Sequence, residues 1–200
     1  MQIRQEIIES CKIGDQRAQQ QLYDLCAPSL LAVCCRYATN RDDAEDMLIE
    51  GFIKLFNHAK EYDKKAGSFY VWSKTIMVNT AIDWLRKHGK HNTFNAIDVV
   101  TAEELGLFNA QARQKAEEEA VMRDEETQLN IEPGTDTARI MQEIKQMPEH
   151  LRIVFNLHLL EEYSYSEIEV MLNLKQTTIR SRFSKAMRWL NNRFNAEDKK

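Results

Sequence analysis

Six glycines and three prolines (Pro28, Pro133 and Pro148) are spread over 200 residues. A chain with so few breakers lacks the turn chemistry of a sandwich or barrel, so the expected fold class is all-α. Hydrophobic residues make up 43% of the chain, enough to build a core and to argue against disorder throughout. No apolar run approaches the ~18–20 residues of a membrane span. Met1–Cys11 carries charges rather than an apolar leader stretch, so the expected location is cytoplasmic, with no membrane insertion.

The net charge of −4 argues at first against a nucleic-acid partner, but its distribution argues otherwise. Residues 1–91 hold 13 basic and 12 acidic side chains, residues 92–138 hold 3 and 11, and residues 139–200 hold 11 and 8. The acidity therefore belongs to the middle. Lys175–Arg193 contains six cations and no acid. Cys11, Cys26, Cys34 and Cys35 form no Cys-x-x-Cys pair and have no histidine at metal-ligand spacing, so no metal is expected. Cys34 and Cys35 lie in the apolar run LLAVCCRYA, and they read as reduced thiols filling a core, with redox sensing the alternative.

Apolar periodicity predicts helices near 3–12, 15–26, 28–39, 43–60 and 69–88, then 137–146, 149–161, 165–172 and 176–193. Pro28 suits the first turn of its helix, and Asp42 or Asp43 can cap the next. Residues 92–136 read as an acidic linker, within which AQARQKAEEEAVMRDEET could form a solvated helix. The chain thus divides into two small helical domains, near 10–91 and 137–194.

Three constellations carry chemistry. In the first, Ser164 or Ser166 caps a short helix, Asn173 ends it, Leu174 plugs the turn, and a second helix follows. Ile179, Phe183, Ala186, Met187 and Leu190 form its inner stripe. The opposite face carries Thr177, Ser181, Lys185 and Arg188, with Thr178 and Ser184 beside them and Arg180 and Arg182 on the flanks. Small hydroxyls allow close approach to a major groove, Lys and Arg reach guanine edges, and flanking arginines reach phosphates. An ordinary solvated helix face is the competing interpretation.

The second constellation is YDKKAGSFYVWSKTIMVNTAIDWLRK, where aromatics interleave with cations as single-stranded DNA binding requires. Phe69, Trp72 and Ile76 also fit a buried stripe, so some of these rings belong to the core. The third is RDDAEDMLIEGFIKLFN. Ala44, Leu48, Phe52 and Leu55 form its inner face, Asp43, Asp46 and Glu50 cluster on the far side, and Ile49 and Ile53 lie beside the acids. An acidic surface edged with aliphatics suits a protein-docking site or packing against another helix.

Taken together, DAEDMLIEGFIKLFN…YDKKAGSFYVWSKTIMVNTAIDWLRK and MPEHLRIVFNLHLLEEYSYSEIEVMLNLKQTTIRSRFSKAM resemble an extracytoplasmic-function (ECF) sigma factor of the sigma-70 family. The resemblance covers about residues 10–91 (region 2) and 137–194 (region 4). It implies a factor that binds core RNA polymerase and directs promoter-specific initiation, without enzymatic activity or cofactor. Asp43, Asp46, Ile49, Glu50, Phe52 and Ile53 would dock on the β′ coiled coil, and region 4 would pack on the β flap. The loop at 61–68 with Lys64, Lys65 and Ser68, and the helix with Phe69, Tyr70, Trp72, Lys74, Asn79, Arg86 and Lys87, would open the −10 element and hold a flipped base. Thr177, Thr178, Arg180, Ser181, Arg182, Ser184, Lys185 and Arg188 would bind the −35 element. An anti-sigma factor is a further partner common in this group, and the linker resembles the segment threaded through the polymerase channel.

This chain departs from the pattern at Ile49, where the family often has Gln, at Lys175, where a capping Ser is usual, and at Asn173, where Gly is usual. The alternative is a helix-turn-helix regulator acting without polymerase. It explains 165–193 but gives no role to the aromatic and acidic helices. An enzyme is the weakest option, because His88 and His91 have no carboxylate placed for acid–base work.

Overall fold

The computed structural model describes residues 3–88 and 137–195, which belong to two separate compact units. Among the described residues every regular element is a helix. The linker expected at 92–136, with its candidate solvated helix, lies outside them.

In the first unit, α1 (Gln5–Lys12) ends at Gly14, whose φ of 83° is the left-handed conformation that glycine adopts without cost. Asp15 then caps α2 (Gln16–Tyr37), accepting from the backbone N–H groups of Arg17 at 2.8 Å and Ala18 at 3.1 Å. The two helices expected on either side of Pro28 are one. Leu22, Cys26, Leu30, Val33, Cys34 and Tyr37 are all buried at helical spacing, so a single apolar stripe runs through the proline. A proline inside a helix costs about 3 kcal/mol, and burying each large apolar side chain returns about 1.5–3 kcal/mol.

Asn40, rather than Asp42 or Asp43, caps α3 (Arg41–Asn57), its side-chain oxygen accepting from Asp43 N–H at 2.8 Å. Asp42 and Asp43 sit in the first turn, where their charge opposes the helix dipole. The expected helix 43–60 stops at Asn57, and one tight turn, Ala59–Glu61, follows. Then comes α4 (Phe69–His88). Helices α2, α3 and α4 pack on one another, with α1 against α2. Leu22, Leu30, Met47, Leu55, Met77 and Val78 fill the core. Gly51 lets α3 and α4 approach closely, because a Cβ there would overlap the Met77 thioether.

The second unit holds α5 (Thr137–Gln146), α6 (Glu149–Phe155), α7 (Tyr165–Leu172) and α8 (Gln176–Asn195). Where a single helix was expected over 149–161, α6 passes into a wider π-turn at Asn156–Leu160, with Glu161 N–H bonded to Asn156 C=O at 2.9 Å. The extra residue in the turn keeps Leu157 fully buried while His158 meets Tyr165 and Phe183. Ile153, Phe155, Leu157, Ile168, Leu172 and Ile179 form this second core.

Cys11, Cys26 and Cys34 are buried and Cys35 is half-buried. Burial pushes the thiols of Cys11 and Cys26 up to about 11 and that of Cys34 to about 12, so all three are protonated, poorly nucleophilic core groups at neutral pH. Among the described residues no helix is long and apolar enough to cross a membrane, and no three potential metal ligands converge.

Candidate nucleic-acid interface

The second unit presents a helix-turn-helix. Ser164 begins α7 with a reciprocal capping box. Its Oγ accepts from Glu167 N–H at 3.2 Å, while the Glu167 carboxylate accepts from Ser164 N–H at 2.7 Å. Asn173 ends α7 in the left-handed conformation (φ 49°, ψ 48°) expected of a turn residue, and Leu174 N–H closes onto Glu169 C=O at 3.3 Å. The Gln176 amide donates to the Glu169 carboxylate at 2.8 Å, tying the start of α8 back to α7.

Along α8 the two faces separate as the spacing requires. Ile179, Phe183, Ala186, Met187 and Leu190 are buried. Thr177, Thr178, Arg180, Ser181, Ser184, Lys185 and Arg188 are exposed. Arg182 is half-buried, and burial lowers its pKa from the ordinary arginine value. The Arg180 guanidinium rests 4.4 Å from the Tyr165 ring, and Tyr165 in turn stacks on His158 at 4.2 Å. His150 and Leu151 of α6 join Thr177, Thr178, Ser181, Arg182 and Lys185 around an open groove of about 320 Å³. No local sequence pattern links His150 to α8, so it was absent from the expected site.

In the first unit the aromatics divide between core and surface. Phe69 is 5% exposed and packs with Tyr62 and Trp72 at ring separations of 5.1 and 5.3 Å, so it acts as a support and is closed to a base. Tyr70, Trp72, Lys74 and Asn79 are half-buried, while Lys64, Lys65 and Ser68 are exposed on the preceding loop. That loop has an internal frame. The Tyr62 hydroxyl donates to Gly67 C=O at 3.0 Å, Asp63 accepts from Lys65 N–H at 2.9 Å, and Ser68 Oγ accepts from Val71 N–H at 3.3 Å. Gly67 has a φ of 151°, which side chains rarely tolerate.

On α3, Ile49 and Ile53 are 53% and 56% exposed beside Asp46 and Glu50. Phe52, placed by the resemblance on the docking face, is 3% exposed and packs at a tilt against Tyr23, ring centroids 4.6 Å apart, so it belongs to the core beneath that face. Of the two cations placed with the −10 residues at the end of α4, Arg86 pairs with Asp83 of the same helix at 3.4 Å and Lys87 with Glu50 of α3 at 3.7 Å. Lys54 lies between Glu50 (3.3 Å) and Asp83 (3.1 Å), joining α3 to α4. His88, weighed for acid–base work, stacks on Trp84 at 4.4 Å.

A helix with an exposed hydroxyl-and-cation face in one helical unit, and an aromatic–basic loop and helix beside an acidic, isoleucine-edged face in another, define a two-part helical factor of the DNA-binding class. Residues 22–91 match the family model Sigma-70 region 2, and residues 137–190 match Sigma-70, region 4. The chain is 30% identical over 185 residues to the RNA polymerase sigma-H factor of Pseudomonas aeruginosa, covering 91% of this chain and 89% of that one. It is 26% identical over 189 residues to the ECF RNA polymerase sigma-E factor of Escherichia coli K12, covering 94% and 93%. The structure of CnrH in complex with the cytosolic domain of CnrY aligns over 95% of this chain and 96% of that one, at 17% identity and a TM-score of 0.47. The chain belongs to the sigma-70 family, in its ECF group, and is an RNA polymerase sigma factor that binds core polymerase and promoter DNA.

Proposed function

We propose that α8 reads the −35 element as a duplex and that α4 with its preceding loop opens the −10 element as single-stranded DNA. The observation that carries this is the exposed hydroxyl-and-cation face of α8, backed by a fully apolar stripe. Ser181, Ser184 and Lys185 face bases, Thr177, Thr178 and Arg188 extend the same surface, and Arg180 and Arg182 hold phosphates on either side. In region 2, Trp72 and Tyr70 supply the partly open rings for an unstacked base, Phe69 backs them, and Lys64, Lys65, Ser68, Lys74 and Asn79 line the backbone path. Arg86 and Lys87, paired with Asp83 and Glu50, continue the cationic side of the same helix toward the DNA backbone.

Asp43, Asp46, Ile49, Glu50 and Ile53 dock on the β′ coiled coil, with region 4 on the β flap, and the factor works in the cytoplasm without a catalytic step of its own. Functional boundaries fall near 10–91 and 137–194. An anti-sigma factor competing for the docking face fits the exposed isoleucines.

The test is holoenzyme binding to promoters mapped from transcript start sites after overexpression. Lys185→Ala weakens the specific −35 sequence by roughly 1–3 kcal/mol while sparing mismatched sequences. Trp72→Ala impairs opening, read by permanganate reactivity, more than closed binding. If the intact chain, free of any inhibitor, fails to bind core polymerase, the docking assignment is wrong.

A further inference from the structure

The groove beside the reading face of α8 has a wall from another helix. His150, in the first turn of α6, faces Thr177, Thr178, Ser181, Arg182 and Lys185 across about 320 Å³ of open space. The lining holds two fixed cations, three hydroxyls and one imidazole, with Leu151 as the apolar member and no acid. A concave site with donors on two sides and no competing carboxylate suits a tetrahedral phosphodiester. Arg182, assigned above to the phosphate backbone, forms part of its wall.

We propose that His150 is a DNA-phosphate contact at the edge of the −35 interface, completing a clamp with Arg182, and that promoter binding is coupled to protonation of its imidazole. The inference rests on the assignment of α8 as the −35 reader and adds a residue and a proton to it.

The charged groups around His150 are Arg182 and Lys185 from α8 and Glu149 on its own helix. Partial burial, then the two cations, hold its pKa below the ordinary value of 6.5, with Glu149 pulling weakly the other way. Without DNA the imidazole is therefore neutral at physiological pH. A phosphate in the groove offsets the neighbouring cations, favours the imidazolium and raises the pKa in the complex. The affinity gained is complete below the pKa of the free protein and is lost as pH rises through the pKa of the complex.

The experiment uses holoenzyme reconstituted from the full chain and core polymerase. The probe is a duplex carrying the −35 sequence mapped from start sites, in competition binding from about pH 5.5 to pH 8.5. Relative to His150→Gln, wild-type affinity gains about three- to tenfold at the acid end, as one added charge-assisted phosphate contact allows. His150→Lys binds with the higher affinity at every pH. Adding salt near pH 6 weakens wild type with a log–log slope steeper by roughly one than His150→Gln, the signature of one more phosphate contact. If His150→Gln keeps the full pH dependence, or loses affinity equally at every pH, the coupling is refuted. Lys185→Ala separates this from failure of the underlying assignment: unchanged sequence discrimination there would sink the role of α8 itself, and the clamp with it.

Discussion

The close approach of α3 to α4 at Gly51 yields a prediction whose sign reverses with a single second substitution. A Cβ at residue 51 meets the Met77 Sδ and lies 2.9 Å from its Cε, inside the ~3.5–4.0 Å of favourable carbon contact. Met77 is fully buried, so its thioether cannot swing out to solvent. Gly51→Ala gains about 0.8–1.0 kcal/mol of helix propensity. Overpacking a filled core costs about 1–3 kcal/mol, so the net result is a destabilisation of about 1 kcal/mol. Met77→Ala alone removes packing and costs about 2–5 kcal/mol. In that background the obstruction is gone, and Gly51→Ala stabilises by about 1 kcal/mol. The coupling energy between the two sites is therefore about 2 kcal/mol. Urea unfolding should be followed by tryptophan emission in a Trp189→Phe background, which leaves Trp72 and Trp84 of region 2 as the reporters. The same change in midpoint with and without Met77 would refute the proposed steric contact, as would stabilisation by Gly51→Ala alone.

Ser164→Ala removes the capping box of α7 and should lower region 4 stability by about 1 kcal/mol, measurable by thermal unfolding. Glu162 has a φ of 62°, a left-handed conformation costing a non-glycine residue about 1–2 kcal/mol. Glu162→Gly should therefore stabilise region 4 by about 0.5–1 kcal/mol after the added freedom of the unfolded chain is offset, whereas Asn173→Ala should destabilise it. The buried thiols set an alkaline limit. Folding raises Cys11 and Cys26 to about 11 and Cys34 to about 12 from 9.0, so their contribution is whole below about pH 9 and falls as pH rises through the folded values. Cys34→Ala should flatten the loss of stability above about pH 9, measured by chemical unfolding across alkaline pH.

The helical architecture was legible because breakers were scarce and the apolar stripes were unbroken. The same stripe logic, taken over Leu22–Tyr37, would have carried α2 through Pro28. The proline's local signal outweighed a burial pattern that spans it. Asn40 was overlooked as a cap because acids follow it, although Asn-x-x-Asp is itself a start signal. The two faces of α8 were readable from angular spacing alone. The burial of Phe69 depends on Tyr62 and Trp72 closing around it, and the pairing of Lys87 with Glu50 depends on how α4 crosses α3. His150 joins the groove through tertiary packing, which one-dimensional periodicity does not encode.

The resting place of Arg180 on Tyr165 affects the cost of binding as well as the fold. A long side chain ordered at an interface forfeits about 0.5–1.5 kcal/mol of rotamer freedom when its partner arrives. Arg180 has surrendered part of that freedom already, on a ring that stacks against His158. On the assignment of Arg180 to a phosphate proposed above this is preorganisation: part of the entropy of fixing that guanidinium is lost when the domain folds and not when DNA arrives.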